Sequence, residues 1–385
     1  MRGAPQNVGM VRVVLAPDKF KGSLTAPEVA RGLAAGIARA RPDVEIVSVP
    51  VADGGEGTVE AFLASGWRRI AVAAPGPTGA PDEAVYAMRG DTAVVELAAA
   101  VGLAKLPGGH FDPLGASTYG LGVVIADALD RGATDIVIGL GGSASSDGGA
   151  GMVRALGARV RDAAGRELPH GGAALAQVAE LDTAGMHSAL GSARITLACD
   201  VDNPLLGPHG AVEVYAAQKG ADAAARAILE DALTRWARVA GVDYARRPGA
   251  GAAGGTGFGA LAVLGARMRS GIEVVLDLLE FPKLLDGAAL VVTGEGSLDT
   301  QSLHGKAPIG VCAAACAAHV PVVAAVGRTL LTPDRVREAG FAGCYALTDL
   351  EPDPVRCMAD AADLMPVIGD RIARDHLRPI REQCS

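Results

Sequence analysis

VRVVLAPDKFKGSLTAPEVARGLAAGIARA, residues 11–40, predicts a strand, a loop and a helix in that order. Val11–Ala16 is a short apolar run, and Pro17–Thr25 is a polar loop. In Ala26–Ala40, apolar residues recur at the spacing of one helical face. Thr25 also begins a Thr-x-x-Glu capping box, which is a sequence signal for a helix N-terminus. The stretch therefore predicts the first βα unit of an α/β protein.

The same alternation continues at Val44–Val49 and returns near the end of the chain. Strands connected by helices form parallel sheets, so we predict a flavodoxin-like sheet with strand order 2-1-3-4-5. In that order the loops 17–25 and 294–305 meet at the switch point between the first and third strands. The C-terminal elements are predicted as strands at Ala288–Thr293, Val320–Val326 and Cys344–Leu347, with helices at Lys306–Ala318 and Pro354–Arg374.

The middle of the chain has a less regular pattern. Arg68–Ala74, Ala84–Met88 and Thr92–Leu97 are predicted as short antiparallel strands separated by turn residues. We therefore predict an α/β fold, in which a flavodoxin-like parallel-sheet domain (1–65 and 285–385) is interrupted by a second mixed α/β domain (66–284).

Composition limits the kinds of partner. The formal net charge is −8 and aromatic residues make up 3%, which argues against a nucleic-acid-binding surface. We expect no membrane association, because no run of about 18 apolar residues occurs. The six cysteines form no CxxC pair, which favours a reduced compartment and a cytoplasmic protein. The first nine residues are interpreted as a disordered leader or as an upstream start before Met10.

Glycine is abundant, at 52 residues, and clusters in four loops. Loops of this kind that follow strands or open helices offer backbone N–H groups to anions such as phosphate. The loops are Asp53–Thr58, Gly139–Gly151, Gly249–Gly257 and Thr293–Gly296. We take the following residues from two of them as the candidate nucleotide site: Gly141, Gly142, Ser143, Asp147, Gly148, Gly254 and Gly255.

Two other function classes remain open on these motifs. Gly139–Ala144 fits the GxGxxA pattern after a strand, and Asp162 follows 21 residues after Gly141, as in dinucleotide-binding folds. An NAD-dependent dehydrogenase of a small hydroxy acid is therefore an alternative, and so is a binding module without turnover. Gly249–Gly254 also matches the pattern, but it follows Arg246-Arg247-Pro248 rather than an apolar strand.

Eight segments, taken in order, resemble the bacterial glycerate kinase family of the two-domain glycerate 2-kinase type. The resemblance implies an enzyme that phosphorylates glycerate with ATP and Mg²⁺, with 2-phosphoglycerate favoured over 3-phosphoglycerate. It also implies a two-domain fold similar to the one predicted above. The segments are Ala16–Leu24, Pro50–Thr58, Gly139–Met152, Ala198–Leu205, Gln218–Ala221, Gly249–Gly255, Thr293–Asp299 and Gly305–Pro308.

The chain departs from the family pattern at three places. Ser145-Ser146 stands where the family usually has Thr-Asn, and Tyr215-Ala-Ala replaces Phe-Gly-Pro. Ser297 replaces an expected Arg. The last departure bears on the substrate, because a guanidinium is well suited to bind a carboxylate. We expect Lys21, Lys306 or the amides near Gly305 to substitute for it.

Phosphoryl transfer needs carboxylates for a metal, cations for the phosphates and a base for the hydroxyl proton. Asp200 follows an apolar strand directly, which suits a base or a metal ligand. Asp53 and Glu56 lie close together in one loop and are the other metal candidates. Lys21 and Lys219 sit in Gly-flanked loops and are, with Asp53 and Asp200, the candidate catalytic residues.

The remaining candidates are assigned to the substrate. Glu295 and Asp299 follow the third strand and would lie opposite Asp18 at the switch point. Lys306 and Asn203 complete the set. The expected partners are therefore glycerate and ATP, with no nucleic acid and no membrane, and we expect a homodimer as the assembly.

Overall fold

A computed structural model describes residues 11–303 and 305–377, so the interpretation of the first nine residues lies outside the described part of the chain. The chain divides into two units, each with its own sheet. The outer unit contains the residues up to Ala52 and those from Val275 onward, and the inner unit is Asp53–Val274. The sequence placed the boundaries at 65/66 and 284/285, whereas the two units divide at 52/53 and 274/275. The loop beginning at Asp53 therefore belongs to the inner unit.

The strands of the described residues, numbered in chain order, are β1 Arg12–Pro17, β2 Glu45–Ser48, β3 Arg68–Ala73, β4 Glu83–Arg89, β5 Thr92–Glu96, β6 Asp135–Gly139, β7 Arg159–Arg161, β8 Glu180–Asp182, β9 Arg194–Ala198, β10 Arg267–Arg269, β11 Ala288–Gly294, β12 Ser297–Leu298, β13 Val322–Val326, β14 Arg328–Thr329 and β15 Gly343–Ala346.

The α-helices of the same residues are α1 Ala26–Ala40, α2 Thr58–Ala64, α3 Leu97–Val101, α4 Tyr119–Asp130, α5 Ala150–Ala155, α6 Ala211–Tyr215, α7 Ala223–Ala240, α8 Ala252–Val263, α9 Gly271–Leu278, α10 Phe281–Leu284, α11 Ala307–Ala317, α12 Pro333–Glu338, α13 Pro354–Ala359 and α14 Ala361–His376.

The outer unit is built on a five-stranded parallel sheet in the order β15-β13-β11-β1-β2. Read in chain order, this is 2-1-3-4-5, so the predicted flavodoxin-like topology is confirmed. Val13, Val14, Leu15 and Ala16 are all fully buried. Burial on both faces is typical of a central parallel strand that is covered by helices on each side.

Helix α1 begins as the capping-box spacing predicts. The Thr25 N–H donates to Glu28 Oε2 at 2.8 Å, which satisfies one N–H group at the helix start. The helix then packs closely along α14. A Cβ atom on Gly36 would lie 2.0 Å from the Pro366 carbonyl oxygen, so no larger residue fits at this crossing.

The prediction of one closing helix over Pro354–Arg374 was wrong at one point. The chain forms two helices, α13 and α14, which are separated at Asp360. Asp353 caps α13 by accepting from the N–H groups of Val355 and Arg356. The break at Asp360 allows buried side chains of both helices, such as Cys357 and Met365, to face the same core.

The inner unit contains a six-stranded mixed sheet in the order β10-β9-β6-β5-β4-β3. The segment β3-β4-β5 is antiparallel, as predicted, and β5-β6-β9-β10 is parallel. Its core includes Trp236, Phe258 and Leu121, all fully buried. The fold class is therefore confirmed as α/β, with a parallel sheet in one unit and a mixed sheet in the other.

Candidate active site

Two groups of candidate residues in the inner unit follow its parallel strands β6 and β9 directly, at their carboxyl ends. The carboxyl ends of neighbouring parallel strands share one edge of a sheet, and ligands bind there in α/β folds. The Gly-rich loop after β6 and the loop of Asp200 after β9 therefore start side by side. A Cβ on Gly141 would lie 2.7 Å from the Gly55 Cα atom, so the loop of Asp53 packs against the same edge.

A cavity of about 190 Å³ is lined by the Gly-rich loop after β6, the loop of Asp200 and the loop of Gly254. One part of its wall is apolar and includes Leu103, Leu140 and Val201. The rest of the wall includes four of the predicted nucleotide residues together with the predicted lysine: Gly141, Gly142, Ser143, Gly254 and Lys219.

Lys219 is the most unusual residue of this cavity. Its side chain is almost completely buried, with 3% of the residue exposed, and its ammonium group donates to the Ser145 carbonyl oxygen. Burial lowers the pKa of Lys219 to about 8, while the negative charge of Asp147 opposes that shift. Among the residues that the structure describes, Lys219 forms no ion pair. A buried cation without a paired carboxylate is costly, which makes it a functional candidate.

The space for the Lys219 ammonium group depends on the third Gly-rich loop, Gly249–Gly257. Gly254 has φ +68°, and a Cβ there would lie 2.0 Å from the Ser145 oxygen and 2.9 Å from Lys219 Nζ. The preceding residue, Ala253, also has a positive φ of 52°, which is a strained conformation for a residue with a side chain. The loop that matches the dinucleotide pattern without a preceding apolar strand is therefore the one that packs against Lys219.

Asp147 lies in the framework of the Gly-rich loop and is not part of the cavity wall. Its carboxylate accepts hydrogen bonds from the Thr118 N–H and hydroxyl, the Ser117 hydroxyl and the N–H groups of Gly149 and Gly151, at 2.8–3.3 Å. The two glycine contacts satisfy N–H groups at the start of α5, a common role for an Asp side chain near a helix N-terminus. Gly148 and Gly255 likewise belong to the loop packing, because the Gly148 N–H donates to the Gly254 carbonyl.

Asp200 stands beside Asp53 in the inner unit. The Gly271 N–H donates to Asp200 Oδ1 at 2.9 Å, and a Cβ on Gly271 would lie 1.7 Å from the Asp53 carbonyl oxygen. Burial raises the pKa of Asp200, and the neighbouring charges of Asp53 and Glu273 raise it further. The Gly271 amide acts in the opposite direction. The structure therefore brings two of the three predicted metal ligands together.

Glu56 belongs to the same loop as Asp53, and its backbone nitrogen lies near Gly141. In the described part of the chain, no group of three His, Cys, Asp or Glu side chains is arranged to hold a metal ion. Any divalent cation at Asp53 and Asp200 would therefore need oxygen ligands from a substrate or from water.

Asn203 holds the loop after β9 in place. Its side-chain oxygen accepts from the Tyr215 hydroxyl at 2.6 Å, and its side-chain amide donates to the His209 carbonyl at 2.9 Å. Its own carbonyl accepts from the Gly251 N–H at 2.8 Å. Asn203 thus connects the loop of Asp200 to the third Gly-rich loop and to Tyr215, a residue of the cavity wall.

Sequence reasoning missed Glu96, which is 6% exposed at the end of β5. Its Oε2 accepts from the N–H groups of Gly57 and Val59, both at 3.1 Å, and so caps α2 from another element. The sequence offers only a weak signal for it, an acidic residue at the end of an apolar strand. Glu96 fixes the loop that carries Asp53 and Glu56.

The other candidates lie in the outer unit, where the loops after β1 and β11 meet as predicted. The Asp18 N–H donates to the Gly294 carbonyl at 2.8 Å. Glu295 is 8% exposed, and Lys306 Nζ lies 3.6 Å from its Oε2. Lys21 lies in the same loop as Asp18 and is exposed.

Asp299 mainly organises its own turn. Its Oδ1 accepts from the N–H groups of Gln301 and Ser302, at 2.8 and 3.1 Å. Burial opposes ionisation, but these amides and the charge of Lys306 together hold the pKa of Asp299 below its ordinary value. The structure therefore separates the predicted site into two groups, one in each unit.

The sequence model of the Glycerate kinase family matches residues 13–377. The chain belongs to the glycerate kinase family. It is 42% identical to "Glycerate kinase" of Bacillus subtilis, over 95% of this chain and 96% of the relative. It is 46% identical to "Glycerate 2-kinase" of Escherichia coli, over 82% of this chain and 85% of the relative.

A solved structure agrees with this assignment. It comes from Salmonella typhimurium LT2, is described as a candidate glycerate kinase 2, and superposes with a TM-score of 0.84 at 39% identity. The match covers 95% of this chain and 98% of that one. The protein is thus a kinase, an enzyme of the glycerate kinase family, and kinases take their phosphoryl group from a nucleotide. No helix in the described ranges is long and apolar enough to cross a membrane.

The geometry also argues against the dehydrogenase alternative for this kinase. A dinucleotide fingerprint should open a helix directly, but α5 begins only at Ala150, six residues after the GxGxxA pattern ends. Asp162 lies in a turn, where it accepts from the N–H groups of Ala164 and Arg166 and pairs with the Arg166 guanidinium. It is therefore not placed at the end of a strand of the main sheet.

We predict that Lys219→Met separates stability from activity. Lowering the Lys219 pKa from 10.5 to about 8 corresponds to about 3 kcal/mol of unfolding free energy, which is lost while the lysine is charged. Because the unfolded state binds more protons between these two pH values, wild-type stability should rise with pH in that window. At pH 7 the variant should therefore melt no lower than the wild type, while kcat/KM falls about 100-fold or more.

Thermal melts at pH 7 and 10, together with steady-state rates, test this prediction. Lys283→Met is the matched control, because Lys283 is exposed in the outer unit and pairs with Glu280 three residues away. It should change neither quantity. A Lys219→Met variant that melts early but keeps the wild-type rate per folded molecule would show a purely structural lysine.

Proposed function

We propose that this enzyme transfers the γ-phosphoryl group of ATP to the 2-hydroxyl group of glycerate. The observation that carries the proposal is the cationic side chain of Lys219, buried in a cavity between Gly-rich loops. A site of this composition favours a polyanion, because it offers an ammonium group and closely approaching backbone. The apolar part of the wall suits the nucleoside of ATP.

In this proposal the inner unit binds the triphosphate. Lys219 would bind phosphoryl oxygens, and the backbone of Gly141, Gly142 and Ser143 would line their path. Displacing the Ser145 carbonyl from the ammonium group is not required, because a lysine has three N–H donors and Ser145 uses one. Such fixed positive charge stabilises the transferring phosphoryl group.

Asp53 and Glu56 are proposed to hold Mg²⁺, with Asp200 beside Asp53. Carboxylate oxygens of this kind fit the ion. Mg²⁺ is usually bound by one or two carboxylates together with substrate phosphates and water, so the lack of a three-ligand protein cluster in the described residues is compatible with it. When bound, Mg²⁺ would neutralise charge on the phosphates. The repulsion between Asp53 and Asp200 is a further feature that a nearby cation would relieve.

Asp200 is proposed as the base that accepts the proton of the glycerate hydroxyl. The Gly271 amide donates to one of its carboxylate oxygens, and Ser270 also contributes a side-chain hydrogen bond. A carboxylate has about four acceptor sites, so it can still accept the proton of the substrate. Its partial burial makes it a stronger base than an exposed aspartate. As an alternative, Asp200 is a third ligand of the metal, which the experiment on Asp200 below distinguishes.

The choice of the 2-hydroxyl group is supported by the name of the Escherichia coli relative, "Glycerate 2-kinase". The described cysteines are all free thiols, which supports a reducing, cytoplasmic location. The homodimer stays a prediction, for which the sedimentation velocity of the purified protein is the test.

Product analysis tests the reaction itself. We predict that the protein forms ADP and 2-phosphoglycerate from ATP and D-glycerate, as measured by ³¹P NMR of the mixture. Formation of both products should stop with EDTA and return with added Mg²⁺. Formation of ADP without glycerate, or no reaction with glycerate, would contradict the proposal, and NAD⁺ reduction with glycerate would favour the dehydrogenase.

Asp200→Asn should lower kcat by about 100-fold or more, the usual scale for losing a general base. Its melting temperature should not fall, because the charged form of Asp200 is destabilised by burial and by its neighbours. The control is Asp202→Asn, two residues further along and exposed, which should keep the wild-type rate.

The Mg²⁺ concentration that gives half-maximal rate separates the two roles of Asp200. A base leaves this concentration unchanged in Asp200→Asn, whereas a metal ligand raises it. A variant that melts early and turns over normally would show that Asp200 serves only to hold its loop.

A further inference from the structure

We propose that Arg328 binds the carboxylate of the hydroxy-acid substrate. This inference rests on the proposed function, since it takes glycerate to be the substrate. From the sequence, Lys21, Lys306 or the amides near Gly305 were expected to bind this carboxylate, and Arg328 was not predicted.

The position of Arg328 is fixed by backbone pairing. Strands β12 and β14 run parallel, and Ser297 pairs with Arg328 in their register. The Arg328 N–H donates to the Gly296 carbonyl at 3.1 Å, and the Gly327 N–H donates to the Glu295 carbonyl at 3.1 Å. The guanidinium then reaches back across the pair, so that Arg328 Nε donates to Ser297 Oγ at 3.1 Å.

This pairing places Arg328 beside the loop that follows β11, at the carboxyl edge of the outer sheet. A Cβ on Gly327 would lie 2.4 Å from the Gly296 carbonyl oxygen, and one on Gly296 would lie 3.4 Å from the Lys21 nitrogen. The loops after β1, β11 and β13 are therefore in contact at the carboxyl edge of the sheet. This edge is where α/β folds of this topology bind their ligands.

Lys306, another cation candidate at this edge, differs from Arg328 in its partners. Lys306 lies 3.6 Å from the Glu295 carboxylate, so its charge is already partly balanced. Arg328 is exposed and, among the described residues, has no carboxylate within ion-pair distance. Its bond to Ser297 uses one of five guanidinium N–H donors, and the rest form the fork that matches a carboxylate.

Ser297 explains why the guanidinium comes from the neighbouring strand. The resemblance places an Arg at position 297, where this chain has a short side chain. The serine hydroxyl accepts from Arg328 and leaves the space beside it to that side chain. The guanidinium that the family carries at position 297 is therefore supplied in this chain by position 328, its partner in the β12–β14 pairing.

Arg328→Gln tests this assignment because it removes the charge and preserves most of the side-chain length. We expect KM for glycerate to rise about 10-fold or more, the scale for losing a hydrogen bond to a charged group. KM for ATP should change less than twofold. Arg335→Gln removes an exposed arginine of α12 in the same unit and should change neither constant.

The double variant Ser297→Arg/Arg328→Ser exchanges the two partners and should recover most of the glycerate KM. This variant decides the matter if Arg328→Gln melts early, because recovery requires the guanidinium and not the residue at 328 itself. An unchanged glycerate KM in Arg328→Gln, or no recovery in the exchange, would overturn the assignment of Arg328. Wild-type protein that fails to phosphorylate glycerate would instead overturn the proposed function, and this inference with it.

Discussion

The burial of the Lys219 ammonium group is the constraint on which the inner site depends. A charged lysine away from water is unfavourable unless its surroundings supply hydrogen bonds or opposite charge. Here the Ser145 carbonyl accepts one bond, and Asp147 contributes negative charge at longer range. Asp147 in turn is held by five donors of the protein, so the loop around the lysine has little freedom. The arrangement therefore holds the ammonium group in a fixed position where it can bind an anion.

The glycines at the site are requirements of this arrangement. The Gly254 position leaves no room for a side chain against Ser145 and Lys219, and its φ is positive. The strained Ala253 beside it shows that the loop conformation is imposed by packing against the neighbouring loop. The positive φ of Ala253 and the burial of Lys219 both lower the free energy of unfolding. Unfavourable features that occur close together are typical of functional sites and uncommon in an ordinary core.

The fold could be predicted from the sequence because its signals are local. Apolar runs of strand length, helical periodicity and a capping box lie within short windows, and right-handed crossovers limit the possible sheet orders. The contacts that complete the site could not be found in this way, even for Lys219, which the sequence did identify, because the partners are distant in the chain. Lys219 reaches Ser145, Glu96 reaches Gly57, and Arg328 reaches Ser297. Asp147 was placed in the right loop, but its role depends on Thr118, which no local pattern relates to it.

The central claim is that the buried ammonium group of Lys219 binds the phosphates of ATP. The most direct test is the pH dependence of the affinity for ATP. Titration calorimetry from pH 6.5 to 9.5 would compare the wild type with Lys219→Met. If Lys219 loses its proton near pH 8, wild-type affinity for ATP should fall as the pH rises through that value. The variant should bind ATP more weakly throughout and lack this step. Equal affinities, or the same pH profile in both proteins, would contradict the account.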